Sequence, residues 1–228
     1  MTHSFAAESD RNNSLLPRAF YDPFNAQNKA GVLAAVSENR LEQGPAFSVA
    51  GPSNIASLAG ITGGALALLT LFAAAALAIS VNLSRSGGAV IELQGFAFPS
   101  FIGINIFTAY AMISGHNTLQ ALFMRLFGGA PVFTLNEAYI FTWDAPQQGY
   151  SRKAFIIIML APFAVSLVIW LLILLLLPMF AGYLLAPLVV SAALLGPDAW
   201  LAAAAARTEP SAEVFALQAK AFTAYRAK

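Results

Sequence analysis

The chain has 228 residues, of which 58% are hydrophobic and only 10% are charged, whereas soluble domains carry roughly 25% charged residues. The net charge of +1 gives no reason to expect nucleic acid as a partner, and the absence of cysteine excludes disulfides and thiolate metal sites. Charged residues and His are missing between Glu42 and Arg85 and again from Ala154 to Pro197. Each gap exceeds the about 20 apolar residues that a membrane-spanning helix needs. These features exclude a soluble domain and predict an all-α polytopic membrane protein.

The N-terminal region, residues 1–56, is polar and contains four prolines, which predicts an irregular cytoplasmic tail. One short helix is expected over residues 28–41, with Asn28 as its cap. Two interpretations of this tail stay open. It is either loosely ordered in the cytoplasm or lies on the membrane or on a partner.

Four transmembrane helices are predicted, over about 57–80, 99–127, 154–177 and 183–206. Pro178 and Gly182 indicate a tight turn between the last two, while Pro162 and Pro187 are expected inside these helices and should kink them. Residues 207–228 are predicted to form a cytoplasmic tail, with a surface helix after Ser211.

A β-hairpin is predicted in the loop between helices two and three, where residues 131–143 are rich in β-forming side chains and Asn136–Glu137 offers a turn. One interpretation is that this hairpin closes the cytoplasmic mouth of the bundle. The other is that it binds a partner, because an exposed sheet edge can accept a further strand. The candidate partner-binding residues are Val132, Phe133, Leu135, Tyr139, Phe141 and Trp143.

Basic residues predict the orientation of the chain in a cell membrane. With four passes, the tails and the middle loop share one side, which holds eleven of the twelve Lys and Arg residues, and the other side holds only Arg85. Both termini are therefore expected in the cytoplasm. An odd number of helices would spoil this separation.

Two ionisable side chains fall well inside the predicted helices, His116 in the second and Asp198 in the fourth. Gln120 and Asn105 share a helix face with His116, so an inward polar stripe is expected, and His116 and Asp198 are expected to meet across the bundle. An alternative interpretation gives both residues only a structural role. In that case His116 is an ordinary hydrogen-bonding group between helices, and Asp198 caps the last helical segment at the membrane interface. A third possibility is that His116 is an axial ligand of a pigment or haem.

The segment 116–129, HNTLQALFMRLFGG, resembles the active-site helix of a family of putative membrane zincin peptidases, which are site-2-protease-like proteins. That helix carries the motif H-E-x-x-H-A, then an apolar run, a basic residue and Gly. Residues 139–146, YIFTWDAP, resemble the loop that follows, and residues 152–162, RKAFIIIMLAP, resemble the start of the third helix. Residues 196–198 resemble a Gly-and-Asp element of the last helix. The similarity covers roughly residues 95–225.

The resemblance implies a degenerate site. His116 matches the first zinc ligand, Asn117 stands where the family has its catalytic Glu, and Gln120 stands where it has the second His. Asp198 matches the acidic third ligand. An amide is too weak a base to activate water, and a neutral amide oxygen is a poor zinc ligand. No catalytic residue and no bound metal are therefore expected, and His116 and Asp198 are vestigial ligand candidates.

The function expected from the sequence is that of a pseudo-metallopeptidase, inactive as an enzyme, that acts as a structural or regulatory subunit of a larger membrane complex. Its expected partners are membrane lipid and other membrane protein subunits, with no nucleic acid and no cofactor. Three alternatives remain: an active intramembrane zinc metalloprotease with an atypical site, a transporter component, and a pigment-binding subunit.

Overall fold

The computed structural model describes residues 41–49, 54–86, 97–129, 131–135, 141–144, 148–209, 212–218 and 221–227. Within them, four long helices form a bundle: α1 (Asn54–Ser86), α2 (Ala97–Leu126), α3 (Arg152–Leu176) and α4 (Leu185–Arg207). A 3-10 helix, Pro178–Leu184, joins α3 to α4 where the sequence predicted a turn.

All four helical stretches are long and apolar enough to cross a membrane. Their outer faces leave large apolar side chains uncovered, among them Phe72 and Phe107, which are 70% and 72% exposed. In water such extended apolar surface would drive association, whereas hydrocarbon solvates it at no cost. The predicted fold class, a helical polytopic membrane protein with a small hairpin, is thus confirmed.

Helices α2, α3 and α4 begin and end within two residues of the predicted positions, whereas α1 runs six residues beyond its predicted end at residue 80. The proline prediction was partly wrong. Pro162 lies inside α3 as expected. Pro187 lies in the first turn of α4, where a missing backbone N–H breaks no helical hydrogen bond. The proline inside α4 is Pro197, directly before Asp198.

Helix α4 packs against the three other helices and forms the centre of the bundle. It lies close to α1 at Gly196, where an added Cβ would lie 2.5 Å from both the Ala59 oxygen and the Gly63 nitrogen. A Cβ on Gly63 would meet the Ala193 oxygen in turn. Small residues permit this backbone contact, which is a common way for helices to associate in lipid. Close to this contact, Trp200 Nε1 of α4 donates a hydrogen bond to Thr62 Oγ1 of α1 at 3.0 Å.

We expect Gly196→Ala to destabilise the bundle by about 1–3 kcal/mol, because the methyl group has no space and α1 must move away. Gly64→Ala is the matched control, since nothing lies within 4 Å of its added Cβ. It should be neutral or stabilise α1 by about 0.5–1 kcal/mol through helix propensity. Reversible unfolding in detergent measures both. Equal effects of the two changes would contradict the glycine contact.

A four-stranded antiparallel sheet in the order β1-β6-β5-β4 lies at one end of the bundle. Its strands are β1 (Leu41–Ser48), β4 (Gln148–Tyr150), β5 (Ala212–Gln218) and β6 (Ala221–Ala227). The irregular segment predicted before α1 and the helix predicted after Ser211 were therefore wrong over these residues, because cross-strand pairing overrides local propensity there. The predicted helix over residues 28–41 lies outside the described residues except for Leu41, the first residue of β1.

Side chains of this sheet and of the nearby helix ends share one apolar core, and we call this end of the bundle the sheet end. Phe155 of α3 packs edge-on against Phe222 of β6, with ring centroids 5.1 Å apart, and Phe47 of β1 lies against the same ring at 6.0 Å. Tyr150 is fully buried, and burial raises the pKa of its hydroxyl well above the usual value. The sheet is thus anchored on the bundle.

The predicted hairpin is confirmed: strands β2 (Val132–Leu135) and β3 (Phe141–Asp144) pair antiparallel. The register sets Phe133 opposite Trp143 and Leu135 opposite Phe141. Strand β3 runs beside α2. Tyr139 and the predicted turn at 136–137 lie outside the described residues.

At the opposite end, side chains of the bundle bind backbone groups of the 3-10 helix and of the first turn of α4. Trp170 Nε1 donates to the Ala181 oxygen at 3.1 Å, and Asn82 Nδ2 donates to the Pro178 oxygen at 3.2 Å. Asn105 Oδ1 accepts from the backbone N–H of Ala186 at 3.2 Å. Irregular backbone at membrane depth persists only where such partners exist. The three side chains therefore hold the connection between α3 and α4 in place.

Candidate functional site: a buried His–Asp–Gln cluster

The polar face of α2 predicted from the sequence points into the bundle. His116 and Gln120 are only 3% and 4% exposed. They are one helical turn apart, so both side chains face α4. Asn105 lies about three turns earlier, where its amide binds the start of α4. The face thus divides into two parts: Asn105 fixes the connection, and His116 and Gln120 form a separate cluster with α4.

That cluster is centred on Asp198. His116 Nε2 lies 2.8 Å from Asp198 Oδ2, and Gln120 Nε2 donates to the same oxygen at 2.7 Å. Asp198 is 9% exposed, so all three side chains are removed from solvent. The predicted meeting of His116 and Asp198 is present, and the alternative that Asp198 is only an interfacial cap was wrong. The bond from Gln120 to the same carboxylate was not predicted from the sequence.

The cluster lies deep in the bundle. His116 is ten residues before the end of α2 and Asp198 nine residues before the end of α4, which places both about 15 Å from the sheet end along the helix axes. A carboxylate at such depth is costly unless it is paired. Two N–H donors on one oxygen supply that pairing.

The close contact of Gly196 with α1 fixes the position of Asp198 along the axis of the bundle. Gly196 touches the backbone of α1, and Asp198 follows two residues later on α4. A helix turns about 200° over two residues, so Gly196 faces α1 while Asp198 faces α2. Helix α4 therefore contacts α1 through glycine and α2 through a carboxylate at the same level.

The second ring nitrogen of His116, Nδ1, is buried and has no hydrogen-bond partner within the described ranges. A buried polar atom without a partner costs free energy. The ring is consequently oriented by Nε2 alone, through its bond to Asp198.

The cluster lies at the position of the motif that suggests a zinc site. Zinc bonds of about 2.0–2.2 Å at tetrahedral angles hold neighbouring ligand atoms roughly 3.3 Å apart. The polar atoms of His116 and Gln120 lie 2.7–2.8 Å from Asp198 Oδ2, which is the distance of direct hydrogen bonds and shorter than that spacing. The donor chemistry does not fit, since only one imidazole and one carboxylate are present beside a neutral amide. Across the described residues, no group of three His, Cys, Asp or Glu side chains is placed to hold a metal ion.

Asn117 follows His116 on α2 and is half-buried. One residue along a helix is a turn of about 100°, so Asn117 projects from a neighbouring face. It contributes an amide, which neither donates nor accepts a full proton at neutral pH.

Further polar contacts between helices were not anticipated from the sequence. Ser191 Oγ of α4 donates to Ser166 Oγ of α3 at 3.3 Å, and Ser166 also donates to the Pro162 oxygen at 2.8 Å. Ser and Thr in an apolar helix indicate that hydrogen bonds to a neighbouring helix form. The sequence does not show which residue of the neighbouring helix is the partner.

Comparisons with known proteins match the part of the chain that holds this cluster. No curated protein and no solved structure matches the chain. The profile of a family described as "Putative zincin peptidase" matches residues 107–212, a little under half of the chain. The matched stretch contains His116, Asn117, Gln120 and Asp198, the hairpin, α3 and α4, whereas α1 and β1 precede it. Over residues 107–212, then, this membrane-spanning chain is similar to a zincin peptidase family.

Proposed function

We propose that this chain is a catalytically inactive, peptidase-like membrane protein that serves as a structural or regulatory subunit of a larger membrane complex. The proposal rests on one observation above all. Gln120, at the position of the second His of an H-E-x-x-H motif, hydrogen-bonds the carboxylate of Asp198, the candidate third ligand. Where the family would use two ligands for a metal, this chain has two side chains bonded to each other.

The chemistry at Asn117 supports the same conclusion. In a zincin, the Glu beside the first His removes a proton from metal-bound water. An amide cannot accept that proton. Loss of the base together with a ligand is the pattern of a scaffold kept after its catalytic role ended, with a site-2-protease-like ancestry for the motif.

A subunit role follows from what the scaffold retains. The hairpin β2–β3 carries apolar and aromatic residues at positions 133, 135, 141 and 143. In a two-stranded sheet each strand has one unpaired edge, and such an edge can bind an extended segment of another protein without any catalytic group. Long exposed apolar faces on the helices offer further contact surface in the membrane. The basic residues favour an orientation with the sheet end and both termini in the cytoplasm.

The test is purification of the native complex in mild detergent, followed by metal analysis and identification of co-purifying chains. We expect a membrane protein partner in stoichiometric amount and well under one zinc per chain. Val132→Lys together with Phe133→Lys should reduce partner recovery if the hairpin is the contact. Gln43→Lys together with Ala46→Lys is the control, because these two exposed positions of β1 lie outside the membrane-spanning helices.

A second candidate, an active zinc peptidase with an atypical ligand set, is favoured by the meeting of His116 and Asp198 within the residues that resemble the zincin family. One tightly held zinc per chain would select it and reject the inactive form. A chain that runs alone in mild detergent would reject the subunit role.

A further inference from the structure

An apolar cavity of about 130 Å³ lies at the end of the bundle opposite the sheet, between α1 and the start of α4. It is lined by Ala75, Ala78, Ile79, Asn82, Leu83, Gly182 and Leu185. Apolar cavities of roughly this size stay dry and accept small hydrocarbon groups. The volume is too small for a helix or a strand of a partner protein.

The one polar side chain in the lining is already engaged. Asn82 Nδ2 donates to the Ala78 oxygen at 2.8 Å and to the Pro178 oxygen at 3.2 Å. Its amide therefore holds the 3-10 helix and leaves the cavity a hydrocarbon-like interior. The wall from Ala75 to Leu83 runs roughly 12 Å along α1, since each helical residue rises 1.5 Å.

A positively charged side chain, that of Arg85, lies next to the cavity on α1. Arg85 follows Asn82 by three residues and so lies on the same side of α1, roughly one turn closer to the end of the helix. Its Nη1 donates to the Leu175 oxygen at 2.8 Å, which ties the side chain across to α3, and the residue is exposed. Among the described residues, no carboxylate forms an ion pair with Arg85.

We propose that this place binds one phospholipid, with a stretch of acyl chain in the cavity and the phosphate on the Arg85 guanidinium. Arginine matches phosphate oxygens in a fixed fork, and α1 is long enough to carry Arg85 to the headgroup layer when the cavity lies within the hydrocarbon. A phospholipid matches both features of this end of the bundle, because its acyl chain fits the apolar cavity and its phosphate binds the positive Arg85. The site is independent of the His116–Asp198 cluster.

The test uses the full chain in mild detergent, with phosphatidylglycerol as the probe and native mass spectrometry as the readout. We expect one retained lipid per chain. Ala75→Leu fills the cavity and should weaken binding about tenfold, the equivalent of about two methylenes left unburied. Ala76→Leu is the control, because Ala76 is the next residue and faces outward. Thermal unfolding of each variant checks that the bundle is intact.

The headgroup contact is tested at Arg85. Arg85→Gln should weaken binding about fivefold, the effect of about one basic side chain near a lipid surface, and Arg85→Lys should retain most of it. Diacylglycerol with the same acyl chains lacks the phosphate and should bind the native chain and Arg85→Gln equally. Equal lipid retention by Ala75→Leu and Ala76→Leu, or capture of detergent or a protein at this place instead of lipid, would overturn the proposal.

Discussion

Replacing His116 by Leu should destabilise the folded bundle by about 3–5 kcal/mol, because it removes one partner of a buried ionisable pair. Asp198 would keep the hydrogen bond from Gln120 but lose the donor at 2.8 Å. Asp198→Leu should cost about 1–3 kcal/mol for each donor left unpaired, and His116 would then have no partner on either ring nitrogen, since Nδ1 makes no bond in the described structure.

The informative control is the double variant His116→Leu/Asp198→Leu. Two apolar side chains of similar size often replace a buried pair with little loss, so the double variant should be more stable than His116→Leu alone. Reversible unfolding in detergent gives the coupling energy from the four proteins. Strictly additive losses would show that the two side chains do not stabilise each other.

Gln120→His is expected to create a zinc site in a protein that otherwise holds little zinc. The new imidazole would lie one helical turn from His116, and both would face Asp198, which completes two nitrogen ligands and one carboxylate. His116 and the side chain at position 120 already reach Asp198 Oδ2 at hydrogen-bond distance, so the ligands need to move apart by roughly 0.5 Å to reach the spacing of tetrahedral zinc. We expect bound zinc to rise from well under one equivalent to about one.

Zinc retained after dialysis against a weak chelator measures this gain. Gln120→Leu is the matched control, with the same position changed and no ligand added. Adding His116→Ala to Gln120→His should abolish the zinc. A folded Gln120→His variant that retains no zinc would mean that the cluster does not descend from a metal site.

The helices were predictable because their signal is local. Each helix lies in a long apolar stretch with few charged residues, which would be unstable in water. The ends of the helices could therefore be predicted from charged and proline residues such as Arg85, Arg152 and Pro178. The hairpin was predictable for the same reason, since residues 131–143 concentrate β-formers between glycine and proline.

The sheet at the end of the bundle was not predictable, because its signal is non-local. Residues 212–227 are rich in Ala, a good helix former, and become strands only because β5 and β6 pair with each other and with β1 and β4. Long-range strand pairing leaves little trace in the local pattern.

The candidate site divides in the same way. His116 and Asp198 were identified because ionisable residues in long apolar helices are rare, and an unpaired one is costly. The bond from Gln120 to Asp198 depends on how α2 and α4 are rotated about their axes. That rotation is set by packing such as the Gly63–Gly196 contact, which sequence spacing does not reveal.

The pairing of β1 with β6 has a consequence for biosynthesis. About 185 residues and all four helices separate Leu41 from its partner Ala227. During synthesis, β1 leaves the ribosome before the first helix, yet its neighbour in the sheet is made only after the fourth helix. Closing so long a loop is slow, and an unpaired strand is prone to aggregate meanwhile. The segment ahead of α1 thus has to be kept from wrong partners until membrane insertion of the whole bundle is complete.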